Sequence, residues 1–123
     1  MEYSYRIDTV NRAIVVAIVG ELYANDFAKL DVEVCSLALG LNYKLVFNFK
    51  KAIIRIGLGE AYFWFPEHLD KINMSFRQIT SAHIANDTDE SFFCFVETTW
   101  SNRGVRTKMF KEEKAALKWL KQF

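Results

Sequence analysis

The chain has 123 residues, 51% of them apolar and 15% aromatic, and its sixteen Lys and Arg against fifteen Asp and Glu leave a formal charge of +1. This is the size of one common domain, residues 1–123, with a single bulky core and more apolar content than a disordered chain carries. So small a net charge gives no field to gather nucleic-acid phosphates or anionic lipid, and neither is expected as a partner.

In chain order, Tyr3, Tyr5 and Ile7 alternate with Ser4, Arg6 and Asp8. A period of two predicts a strand with one wet face. Ala13 to Val19 is β-branched and apolar on both faces, as a strand covered on both sides must be, which places it near the centre of a sheet. The short break at Asn11 and Arg12 makes this pair antiparallel. A helix is predicted from Asn25, as its N-cap, with Phe27, Leu30, Val34, Leu37, Ala38 and Leu41 on one face and Gly40 and Asn42 at its end.

Leu45 to Phe49 reads as a third strand, followed by a loop to Gly57. Gly57 to Asn73 is a second helix that Pro66 should kink or split. Ile79 to Ala85 is a fourth strand, and Asp87-Thr88-Asp89-Glu90 opens a third helix with Phe92, Phe95, Val96 and Thr99 on one face. Val105 to Phe110 is a fifth strand. From Glu112 a last helix places Leu117, Trp119, Leu120 and Phe123 on its buried side, with Lys118 and Lys121 at its negative end. The fold class is therefore α/β: a mixed, largely parallel five-stranded sheet with helices packed on it, in the order ββαβαβαβα.

Met1-Glu2-Tyr3-Ser4 lacks the marks of a secretory leader. The longest clean apolar run, Ala13 to Gly20, falls far short of the roughly 20 residues that span a bilayer, so a cytoplasmic protein without stable membrane insertion is expected. Cys35 and Cys94 have no CxxC or His-paired spacing and read as buried thiols.

Three stretches carry a resemblance to the STAS domain family, most closely to its SpoIIAA-like branch. They are Ile18-Val19-Gly20-Glu21-Leu22 leading into Asn25-Asp26-Phe27, then Val46-Phe47-Asn48-Phe49 with Gly57-Leu58-Gly59, and finally Val105 to Phe110 running into Ala115-Ala116-Leu117 and Trp119-Leu120. The resemblance implies an anti-sigma-factor-antagonist-like fold and a non-catalytic module that docks a protein partner or itself. Its alternative is a carrier of a small apolar or lipid-like ligand, since this branch is compared with lipid-binding CRAL-TRIO domains. Where those antagonists place Asp-Ser-Ser before Gly-Leu-Gly, this chain has Ile54-Arg55-Ile56, and no Ser or Thr stands between Tyr43 and Asn73. Phosphorylation needs a hydroxyl, so the family's switch is not expected in this loop.

Candidate positions for the partner or ligand surface are Lys50, Lys51 and Arg55 in the loop after the third strand, Gly57 and Gly59 at the following helix start, and Tyr62 and Trp64 in that helix. Carboxyl ends of parallel strands are where open α/β sheets bind, although three cations in six residues also suit a solvated loop. Tyr62-Phe63-Trp64-Phe65 sweep most of a helix circumference, so some rings must meet a partner, an apolar ligand, a second copy in a homodimer or another helix. His68 and His83 are lone histidines without ligand spacing. No catalytic constellation, metal site or cofactor motif can be assembled, and an enzyme is not expected.

Overall fold

The structure, a computed structural model, describes residues 1–72 and 74–123, and of Phe65, Pro66 and Leu69 the main chain alone. Its elements are β1 (Glu2–Asp8), β2 (Ala13–Leu22), α1 (Ala24–Leu41), β3 (Lys44–Ile54), α2 (Leu58–Lys71), β4 (Ser81–Ile84), α3 (Glu90–Asn102), β5 (Thr107–Phe110) and α4 (Glu113–Leu120). A short 3-10 helix, Met74–Gln78, precedes β4. The five strands lie in the order β1-β2-β3-β4-β5, with β1 antiparallel to β2 and the other pairs parallel. The expected mixed α/β order is the observed one.

β2 lies between β1 and β3, but the central place belongs to β3, which is also longer, at 11 residues against 10. Both strands are apolar on both sides because both sides are covered. Ile14, Val16 and Ile18 with Leu45, Phe47 and Phe49 join the core under α1 and α3, while Ala13, Val15 and Val46 join Ala82, Ile84 and the α4 residues Ala116 and Leu120. Each large side chain so buried contributes roughly 1.5–3 kcal/mol. α2 packs chiefly on α3 and α1, so it forms an outer layer above them.

The loop expected after Phe49 is strand as far as Ile54. A bulge makes this possible. Between Ala17↔Asn48 and Val19↔Lys51 one extra residue enters β3, and the Asn48 side chain accepts the Lys50 N–H at 3.0 Å. Pairing then resumes as Gly20↔Ala52 and Leu22↔Ile54, with Ala52 buried.

Helix boundaries differ from expectation for local reasons. α1 begins at Ala24 with Tyr23 as N-cap and no side-chain cap, because Ala24 is drawn into the core. Its end is the expected one: Asn42 takes the left-handed conformation, φ 56°, and its N–H meets the last carbonyls. α3 begins at Glu90, since the Asn86 side-chain oxygen accepts the N–H groups of Thr88 and Asp89 at 3.1 and 2.8 Å and holds 86–89 as a turn. Its buried residues are Phe92, Phe93, Val96 and Trp100, whereas Phe95 and Thr99 turn toward α2. α2 is one helix through Pro66, and the expected last residue of this segment, Asn73, lies outside the described residues. In α4 the buried pair is Ala116 and Leu120, with Leu117 and Trp119 half-buried and Phe123 exposed beyond the helix end. Among the described residues no helix is long and apolar enough to cross a membrane.

Candidate functional site

The cations expected to share a loop do not converge. Lys50 and Lys51 sit in β3 at the bulge that follows Asn48, not in a loop. Lys50 reaches Asp87 at 3.5 Å, and Arg55 is held by Glu21 at 2.9 Å. These exposed pairs tie loops together and leave no concentrated positive patch. Ile56, where the resemblance would call for a phosphorylatable serine, is buried in the larger core.

The glycines and rings do come together. Gly57 caps α2 with φ −71°, and among the described residues nothing beyond the adjoining helix backbone and chain neighbours lies within 4 Å of where a Cβ would stand on it or on Gly59. Backbone strain calls for glycine at neither position; Gly57 suits an N-cap, while Gly59 inside the first turn weakens the helix by up to about 1 kcal/mol relative to alanine. Leu58, Tyr62 and Phe63 project from the same end of α2, with Tyr62 63% and Phe63 75% exposed. Their rings meet edge to face at 5.2 Å, and Tyr62 lies 6.4 Å from Phe95 of α3. Together with Thr98, Thr99, Asn102 and Arg103 they line an open groove of about 710 Å³ between α2 and α3. Asp70 binds Arg103 at 3.3 Å and Arg77 at 3.2 Å, fastening α2 to α3 and to the 3-10 helix.

Trp64 points the other way. It packs on the core and stacks on His68 with ring centres 4.9 Å apart and planes within 7°. His68 Nε2 lies 2.9 Å from Asp31 Oδ2, and the Cys35 thiol donates to Asp31 Oδ1 at 3.5 Å, all three side chains being buried. Burial, then the Asp31 charge, pushes the Cys35 thiol well above its ordinary range, the opposite of an activated nucleophile. This network was missing from the sequence reading. Its signal was Asp31 itself, a carboxylate on the stripe Phe27, Leu30, Val34, Cys35, Ala38 that α1 buries. Cys94, expected to be buried, is exposed on α3 because the buried arc of that helix runs through Phe92, Phe93 and Val96.

His83 on β4 is 1% exposed and sits among the rings of Phe47, Phe49 and Trp100 at 5.5, 5.9 and 5.4 Å. Neither ring nitrogen has a hydrogen-bond partner among the described residues, and burial lowers its pKa from 6.5 to about 4. The apolar cavity beside it, lined also by Leu22, Phe92 and Phe93, holds only about 10 Å³. That is the room of one water. Among the described residues no group of His, Cys, Asp and Glu side chains could hold a metal ion.

No protein-family model and no curated protein matches this chain. Solved structures do. The anti-sigma factor antagonist SpoIIAA in its unphosphorylated form aligns with a TM-score of 0.57 at 13% identity, over 99% of this chain and all of the other. An uncharacterized protein of the DUF3478 family from Shewanella loihica PV-4, itself described as having a SpoIIAA-like fold, aligns with a TM-score of 0.58 at 16% identity, over 97% and 92%. With an antiparallel β1–β2 pair, parallel strands after it and four helices, the chain has a SpoIIAA-like fold of the STAS type.

Proposed function

We propose that this chain is a non-catalytic protein-docking module whose contact surface is the α2–α3 groove, with a second copy of the chain as the first partner to test. The observation that carries the reading is the pair of exposed rings, Tyr62 and Phe63, on the outer layer of the fold. Rings of this size are common anchors at protein interfaces, where they fill a pocket on the partner. Gly57 and Gly59 carry no side chain of their own and leave open space there, which lets a partner's main chain approach closely at those two positions. Lys50, Lys51 and Arg55 flank this end of the sheet as a polar border.

The carrier reading finds less support. The Tyr62-lined space is an open groove, and the enclosed cavity that Phe92 lines is about 10 Å³, too small for any lipid chain. Regulation by phosphate before α2 is unsupported too, since Ile56 is buried there.

The test is a photo-crosslinking amino acid in place of Phe63, in the living host, with the same group in place of Lys114 on α4 as control. Protein adducts at position 63 that the control lacks are expected, and their mass separates a homodimer from another protein. Adducts no more abundant than at position 114 would remove this surface from consideration. The double variant Tyr62→Ser/Phe63→Ser should keep its circular dichroism and lose the association.

A further inference from the structure

A second cleft, about 350 Å³, opens at the amino ends of the parallel strands and shares no residue with the α2–α3 groove. We propose that it binds a small, multiply charged, phosphate-bearing anion through Arg12, Lys44 and Arg106.

The sheet register assembles these cations. Leu45 pairs with Ser81 and Ser81 with Thr107, so the residues one step earlier, Lys44, Thr80 and Arg106, form a row across the starts of β3, β4 and β5. Main-chain bonds hold the row: the Leu45 N–H donates to the Thr80 carbonyl at 3.1 Å and the Ser81 N–H to the Arg106 carbonyl at 3.0 Å. Arg12 joins it from the β1–β2 turn, where its carbonyl accepts the Lys44 N–H at 3.0 Å. Leu45 belongs to the larger core, so by alternation Lys44 lies on the α4 side, and Thr80 and Arg106 lie there with it. Neighbouring strands are about 4.8 Å apart, which puts the Lys44 and Arg106 main chains roughly 10 Å apart with Thr80 between them. Two long cationic side chains can close that span on one compact anion.

The cations are available. Arg6, Lys50, Arg55, Lys71, Arg77 and Arg103 each meet a carboxylate, but among the described residues no acidic group lies within ion-pair distance of Arg12, Lys44 or Arg106. Arg106 lies with its guanidinium carbon 4.3 Å from the centre of the Phe123 ring. A ring contact of this kind uses the face of a guanidinium and not its N–H donors, through which Arg can bind phosphate in two parallel bonds. Arg12 takes a left-handed φ of 52°, rare outside glycine, after a turn in which Asp8 accepts both the main-chain and side-chain N–H of Asn11.

A competing role is to offset the negative ends of α1 and α4, which finish nearby at Leu41 and Leu120. Those ends carry about half a charge each, so three cations exceed them by about two. The α1 carbonyls of Ala38 and Leu39 are also already met by the N–H groups of Tyr43 and Asn42, and the α4 carbonyls of Trp119 and Leu120 by those of Gln122 and Phe123. The surplus charge faces the cleft. Its volume is near the lower end of the roughly 300–1,000 Å³ of small-molecule sites, which suits a phosphorylated metabolite or a single lipid headgroup.

Inorganic pyrophosphate, titrated calorimetrically into the full chain at fixed ionic strength, is the probe. Saturable one-to-one binding is expected, weakened about tenfold or more in Lys44→Gln and in Arg106→Gln and unchanged in Lys29→Gln, an exposed α1 position outside both surfaces. Circular dichroism checks each variant, and if Arg106→Gln does not fold, Lys44→Gln alone decides. Sedimentation with phosphatidic-acid vesicles, lost in the same variants, would assign the phosphate to a headgroup, and its absence beside pyrophosphate binding to a soluble ester. No saturable heat, or equal weakening in Lys29→Gln, overturns the proposal.

Discussion

On one face of the sheet α1 and α3 cover a thick layer of rings, Phe27, Phe47, Phe49, Phe92, Phe93 and Trp100, with α2 laid over them. On the other α4 alone covers fewer and mostly smaller residues, Ala13, Val15, Val46, Ala82 and Ile84. The ring-rich face also encloses the titratable side chains of Asp31, His68 and His83. A thin layer of small residues can be sealed by one short helix. A thick one needs two layers of helix, and the outer layer leaves its own outer side, Tyr62 and Phe63, for something else to cover.

The largest expected effect comes from removing one ring from the thick face. Phe47 is fully buried against Phe27, Phe49 and His83, so Phe47→Ala should cost about 3–5 kcal/mol, because α1 and α3 are braced and cannot collapse into the space. Leu120→Ala on the α4 face should cost only about 2 kcal/mol, since an eight-residue helix can settle inward. Urea unfolding of the two variants measures the contrast. Equal losses would mean that the two faces are equally braced.

The next effect tests what holds the outer layer. His68→Leu leaves the Asp31 carboxylate, 2% exposed, with the weak thiol donor of Cys35 as its one side-chain donor among the described residues, and a buried charge stripped of its partner costs about 3 kcal/mol or more. Because His68 and Asp31 join α2 to α1, hydrogen exchange should rise in α2 before it rises in β2 and β3. Uniform acceleration through the whole chain would show instead that the pair supports the core as one unit.

The order of elements was legible because hydrophobic period is local: two in β1, near 3.6 in α1, unbroken apolar runs in β2 and β3. What stayed hidden is tertiary. Lys50 and Lys51 interrupt the apolar run, so β3 read as finished, and the Asn48 bulge that carries it on to Ile54 depends on a neighbour, β2. The block Tyr62 to Phe65 announced that some rings must face outward, but which ones depends on how α3 and α1 seat α2. Of the positions expected to form the surface, Gly57, Gly59 and Tyr62 cluster on one side, while Trp64 turns to His68 and the three cations separate. Arg12, Lys44 and Arg106 gave no sign as single residues, because only the sheet register puts them in one place.

At neutral pH the smallest effect is that of His83, and acidification should bring it out. Its ring lies in an aromatic cage with no partner for either nitrogen among the described residues, so the charged form is disfavoured in the folded protein and the pKa falls to about 4 from an ordinary 6.5. In the unfolded chain the same ring takes up its proton near pH 6.5. Between those values the unfolded state binds more protons than the folded one, so stability is complete above pH 6.5 and drains away as the pH falls toward 4. The loss is roughly 1 kcal/mol for each pH unit within that window. His83→Leu, which cannot titrate, should remove this slope. Subtracting its urea-unfolding profile from that of the wild type cancels the carboxylates and His68, which both proteins keep. A difference that is flat between pH 6.5 and 4.5 would mean that His83 is charged as readily in the fold as outside it, and that the cage around it opens to water.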